Sequence, residues 1–205
     1  MNMKKSVSIS VLFLGLIVAI AATPAFADST LLNTFVEPGD QTSGGGWALG
    51  SWQSLAVPFT VSNAVTVNSI VAAIYVTGDV NVGIMTDAGG LPSNSWLYSA
   101  ALSDPTANIS LEGLDWSLGA GTYWLAAVVV GDASGGWRNG DALVPSWAFT
   151  QDGSTTWYPD STQKLPAALI TAGDATNVVP EPSSFLLLGS GLVGLAGFIK
   201  RKLAA

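Results

Sequence analysis

Eight tryptophans and a surplus of aspartate are the residues through which this 205-residue chain could do chemistry. The chain contains neither histidine nor cysteine. Nucleophile–histidine pairs, Cys/His zinc sites, disulfide frameworks and histidine-ligated haem are thereby excluded. The tryptophans are Trp47, Trp52, Trp96, Trp116, Trp124, Trp137, Trp147 and Trp157. An exposed indole can stack on the C–H face of a sugar ring while neighbouring polar groups bind its hydroxyls. Three loop-flanked positions fit that chemistry: Trp47 after a glycine run, Trp137 beside Arg138 and Asn139, and Trp157 beside Tyr158 and Asp160. Core packing is the competing use of any tryptophan, and Trp124, inside a long apolar run, is expected to serve it.

The acids admit two further readings. Glycoside hydrolysis needs two carboxylates roughly 5–9.5 Å apart, one of them with a raised pKa. Glu37 and Glu112 are the only glutamates before the tail, and Glu112-Gly113-Leu114-Asp115 reads as a turn with two solvated acids. Calcium is the ion that carboxylates and loop carbonyls could cage, but no EF-hand spacing or aspartate–glycine repeat is present. No metal ligand set, catalytic residue or cofactor is therefore assigned. Lys164 has no neighbouring base to activate it, and Gly44-Gly45-Gly46 lacks the Lys-Ser/Thr ending of a phosphate loop.

The segment 28–177 must position these side chains. It holds two bases, Arg138 and Lys164, against thirteen acids, for a net charge near −11. Such a surface repels nucleic acid and anionic polysaccharide, so neither is expected as a partner. About 150 residues suffice for a core without disulfides. The pattern is one of short β-branched or aromatic runs punctuated by Gly, Pro, Asn and Asp. It predicts strands at Leu31–Val36, Ser51–Val61, Ser69–Thr77, Val80–Thr86, Trp96–Leu102, Ala107–Leu111, Thr122–Val130, Pro145–Thr150, Ser154–Trp157 and Ala167–Thr171. Thr77-Gly78-Asp79 reads as a hairpin turn, and Thr42–Gly46 and Asp132–Gly136 as surface loops. Tyr123–Val130 is apolar at every position, as a central strand buried on both faces would be. The expectation is an all-β, two-layer, jelly-roll-like β-sandwich.

Both ends of the chain read as address labels. Lys4 and Lys5 precede an apolar stretch, and Ala25-Phe26-Ala27 offers signal peptidase a small-x-small site that leaves Asp28 first. Residues 1–27 are thus read as a cleaved signal peptide, the alternative being an N-terminal membrane anchor. At the other end stands Val179-Pro180-Glu181-Pro182, whose prolines stiffen the chain. Uncharged residues 183–199 follow, then Lys200-Arg201-Lys202. Seventeen helical residues span about 26 Å, at the short edge of what crosses a bilayer. The basic cluster should stay cytoplasmic, which places 28–177 outside the inner membrane.

This tail, residues 178–205, resembles the PEP-CTERM sorting signal of exported bacterial proteins. The resemblance implies processing by the membrane enzyme exosortase, a Gram-negative-type envelope and an association with exopolysaccharide. A plain tail anchor is the alternative. Within the middle domain, Phe59-Thr60-Val61, Asp87-Ala88-Gly89-Gly90-Leu91-Pro92, Leu118–Leu125 and Leu165-Pro166-Ala167 resemble the choice-of-anchor β-sandwich domains of bacterial surface proteins. That resemblance implies a fold and a surface setting, with no activity attached. The sequence thus leads to a non-enzymatic envelope or matrix protein, structural or adhesive, that binds a neutral glycan. The alternative is a carboxylate-dependent polysaccharide-processing enzyme.

Overall fold

A computed structural model describes residues 28–35, 45–140, 146–161 and 164–174. The labels at 1–27, 179–182, 183–199 and 200–202, together with Glu37 and Thr42–Gly44, lie outside the described residues. Asp28–Thr176 forms one compact unit, and among its described residues thirteen strands run in chain order. They are β1 (Asp28–Asn33), β2 (Gly46–Gly50), β3 (Leu55–Val61), β4 (Val65–Ala72), β5 (Ile74–Thr77), β6 (Asp79–Asp87), β7 (Pro92–Ser103), β8 (Ile109–Leu118), β9 (Gly121–Val129), β10 (Ser134–Arg138), β11 (Trp147–Thr150), β12 (Trp157–Asp160) and β13 (Ala168–Asp174).

The strands make a β-sandwich. One layer is a six-stranded sheet in the order β12-β11-β3-β9-β6-β7. A four-stranded sheet, β1-β13-β4-β8, and a three-stranded sheet, β2-β10-β5, supply the other side. All pairings are antiparallel. Alternation along each strand sends one set of side chains inward. Val57 and Phe59 of β3, Val82 and Ile84 of β6 and Leu125 of β9 thus meet Val67 and Ile70 of β4 and Ile170 of β13 in one apolar core. Leu49, Ile74 and Trp137 bring the three-stranded sheet into the same core.

The central strand β9 is buried on both faces, as its sequence requires. Leu125 and Ala127 point into the main core. Trp124 and Ala126 join Ala56, Met85, Ala148 and Trp157 in a second cluster on the outer face of the six-stranded sheet. The Asp87–Pro92 loop fastens that cluster. Gly89 (φ 70°) and Gly90 (φ 86°) take the left-handed turn, and Asp87 Oδ2 accepts from Gly90 N at 3.0 Å. The other oxygen, Oδ1, accepts from the Trp124 indole at 2.8 Å.

Several local expectations are corrected by the fold. Thr77-Gly78-Asp79 is not a hairpin within one sheet. There the chain passes from β5 in the three-stranded sheet to β6 in the six-stranded one, with Gly78 at φ 95°. Asp132–Gly136 is only partly a loop, because Ser134–Arg138 is the middle strand of the three-stranded sheet. Glycine disfavours strands in isolation, but pairing on both sides overrides that preference. The predicted Ser51–Val61 strand begins at Leu55, after a tight turn in which Gly50 and Gln53 exchange backbone bonds of 3.0 and 2.9 Å. The predicted strand at Ser69–Thr77 is two strands divided at Ala73, and the one at Ser154–Trp157 runs instead from Trp157 to Asp160. Glu112–Asp115 is a bulge inside β8 rather than a terminal turn, with Gly113 at φ 62° and Asp115 at φ 50°.

Candidate functional site

Of the tryptophans chosen from the sequence, Trp47 and Trp137 are cross-strand partners that face the core. Trp157 lies apart from them in the outer cluster, so the three form no shared exposed surface. Trp137 has no exposure; it lies in the core, and its indole donates to Ala167 O at 2.8 Å. Its ring therefore cannot stack on a ligand. Trp157 is 6% exposed and belongs to the outer cluster of the opposite layer, where its indole donates to Asn94 Oδ1 at 2.6 Å. Trp47 is half-buried, donates to Lys164 O at 2.9 Å and packs against Trp147 at 4.7 Å. Asn139 is half-buried at an isolated bridge to Pro166. Tyr158 is exposed at the sheet edge, 6.0 Å from the Phe149 ring. Asp28, the predicted first residue after cleavage, opens β1 and accepts from Asn68 Nδ2 at 2.6 Å.

Of that set, Arg138 packs over the exposed ring of Tyr75, beside Trp52, two residues that the sequence did not single out as ligand contacts. Register explains how. Gly136 of β10 pairs with Tyr75 of β5 and Ala48 of β2, while Arg138 pairs with Gly46 and Ser134 with Gly50 and Thr77. Paired residues share a face. The outward face of this sheet is therefore built of glycine, alanine, serine and threonine, with Tyr75 and Arg138 as its only long side chains.

Glycine is required here by close approach. A Cβ on Gly136 would stand 2.6 Å from the Tyr75 hydroxyl oxygen, so the phenol lies against bare backbone. A Cβ on Gly50 would stand 2.8 Å from Trp52 Nε1, so the indole of the β2–β3 turn folds back onto the same sheet. Tyr75 and Trp52 remain 42% and 51% exposed. The Arg138 guanidinium carbon lies 5.3 Å from the Tyr75 ring centroid, within cation–π range. Tyr75, Trp52 and Arg138 line an open groove of about 700 Å³ that also takes in Thr77, Thr106 and Ser134.

This arrangement offers two aromatic faces, one fixed cation and several hydroxyls. Such groups can stack on the apolar face of a ring and hydrogen-bond its hydroxyls. The sequence signal for it was indirect: Tyr75 is a large residue at an outward position of an otherwise apolar run. Gly50 and Gly136 come to lie beneath the rings on one sheet face only through cross-strand register.

The acids form no comparable site. Glu112 and Asp115 are exposed on the β8 bulge, where Glu112 accepts from Ser110 Oγ at 3.0 Å. Among the described residues no group of three or more acids is placed to hold a metal ion.

No curated protein and no solved structure matches the chain. The resemblance of the middle domain to choice-of-anchor domains thus has no counterpart there. The tail does have one. Residues 178–202, which contain Val179–Pro182 and the basic Lys200–Lys202, match the PEP-CTERM protein-sorting motif, so the chain carries a tail of the kind that supports export and sorting by an exosortase.

Proposed function

We propose that this exported protein is a non-enzymatic component of the cell envelope or extracellular matrix that holds a neutral glycan on the face formed by Trp52, Tyr75 and Arg138. The signal peptide brings the domain across the inner membrane, signal peptidase frees Asp28, and the tail anchors the chain there until exosortase acts. The observation that carries the glycan reading is the pair of exposed rings seated on Gly50 and Gly136. A net charge near −11 on 28–177 supports a neutral exopolysaccharide over an anionic one.

The test is affinity electrophoresis of the protein through gels cast with neutral or anionic polysaccharides. Retardation by a neutral polymer, reduced at least tenfold in apparent affinity by Tyr75→Ala with Trp52→Ala, is the expected result. Equal mobility in every gel would refute the glycan reading. Reducing ends released from a retarded polymer would favour the carboxylate-dependent enzyme instead.

A further inference from the structure

A second cavity lies on the opposite side of the sandwich, on the outer face of the six-stranded sheet. Two turns form its rim. The first is the Gly50–Gln53 turn, and the second is the β11–β12 turn, where Asp152 (φ 55°) and Gly153 (φ 68°) take left-handed backbone. They are stapled together: Gly153 N donates to Trp52 O at 3.2 Å, Thr150 N to Ser54 O at 3.0 Å, and Ser54 N to Thr150 Oγ1 at 2.8 Å. Such a rim is fixed before any ligand arrives.

The cavity measures about 230 Å³. That is below the roughly 300–1,000 Å³ typical of pockets for drug-sized ligands, and so suits a single small ring. Its wall is apolar and aromatic, from Trp96, Trp157 and Met85, and its rim carries the hydroxyls of Ser51, Ser154 and Thr155. Trp157 is locked by its bond to Asn94, whose amide nitrogen keeps its two donors. None of the thirteen residues lining the cavity is charged, in a domain with thirteen acids. An aromatic wall, a hydroxyl rim and no charge are the recognition chemistry of a neutral sugar ring.

We infer that this cavity is a second saccharide site, taking one neutral pyranose ring, and that the domain is a divalent glycan cross-linker. The inference rests on the platform reading of Trp52 and Tyr75, since cross-linking needs both sites. The two sites open on the outer faces of different layers and meet at the Gly50–Gln53 turn, which carries Trp52 of the platform and the Gly50 and Ser51 lining of the cavity, so a glycan short enough to stay on one face leaves the other free. Two glycan chains held by one rigid domain are tied at a fixed spacing, and avidity follows from geometry without new contacts.

Isothermal titration of the full chain in detergent, with a panel of neutral tetrasaccharides of glucose, galactose and mannose, tests this. The expected result is two tetrasaccharides per chain for at least one sugar. Tyr75→Ala should remove one, and Trp96→Ala or the surface change Thr155→Glu the other, with melting temperatures checked so that Thr155→Glu decides if Trp96→Ala misfolds. A stoichiometry of one, lost with Tyr75→Ala and untouched by Thr155→Glu, would overturn the cavity and leave the platform standing. A stoichiometry of one lost only with Thr155→Glu would overturn the platform and the cross-linker together. No binding by any tetrasaccharide would end both readings.

Discussion

The Trp137 indole donates to the carbonyl of Ala167 at 2.8 Å, and the same carbonyl accepts from Ala73 N at 3.1 Å. Arg138 N donates to Ala73 O at 2.9 Å, and Ala167 N donates to Arg138 O at 2.8 Å. These three residues close a ring of backbone bonds where the β4–β5 stretch leaves the four-stranded sheet and enters the three-stranded one. Trp137 fastens that junction from inside the core. Trp137→Phe keeps a ring but loses the donor and part of the volume, at a cost of about 2–3 kcal/mol. Urea denaturation should show a lower midpoint with an unchanged slope. Glycan binding should not change, because the residue never reaches the surface.

Thr34 is 1% exposed and closes the neighbouring end of β13. Its hydroxyl donates to Pro166 O at 2.7 Å and accepts from Ala168 N at 2.7 Å. Thr34→Val preserves shape and leaves both backbone groups unpaired, so a loss of about 1–3 kcal/mol is expected. Thr34→Ser should recover most of it. Equal stabilities for the Val and Ser variants would show that the hydroxyl is immaterial.

Neighbouring glycines in β10 should behave in opposite ways. A Cβ at Gly136 meets the far end of the Tyr75 side chain at 2.6 Å, which can swing away, and the Trp47 carbonyl at 3.1 Å, which need give by only a few tenths of an ångström. Gly136→Ala should thus leave the fold nearly as stable while weakening neutral-glycan binding about tenfold by unseating the ring. A Cβ at Gly135 runs into the Tyr75 backbone carbonyl, which cannot move without breaking the β5 pairing. Gly135→Ala should destabilise the domain by about 3 kcal/mol. Thermal denaturation and glycan titration of the two variants side by side would settle the contrast.

Glu181 bears on sorting. In cells that carry an exosortase, Glu181→Ala should insert normally, because the apolar run and basic stop at 200–202 are untouched. Processing should fail, leaving an uncleaved product in the inner membrane beside a shortened wild type. Mass spectrometry of both fractions is the measurement. Identical full-length products would reduce the tail to a simple anchor.

The sequence alone determined the sorting tail and the all-β character. A sorting signal is read by its enzyme as a linear segment, so its order and spacing are already complete in one dimension. Period-two alternation and the unbroken apolar run of Tyr123–Val130 likewise declare strands locally, and β9 duly lies at the centre of its sheet. Exposure is a different kind of property. Trp137 sits after two glycines and looks like a loop residue, yet β2 and β5 pair on either side of it and carry it into the core. Trp52 lies within a predicted strand, yet a tight turn lays it on Gly50 at the surface. Gly50 and Gly136 share one outward face with Tyr75 only because three strands distant in sequence, β2, β10 and β5, adopt one register. Tertiary structure decided which rings face water, because burial depends on partners that a single strand cannot name.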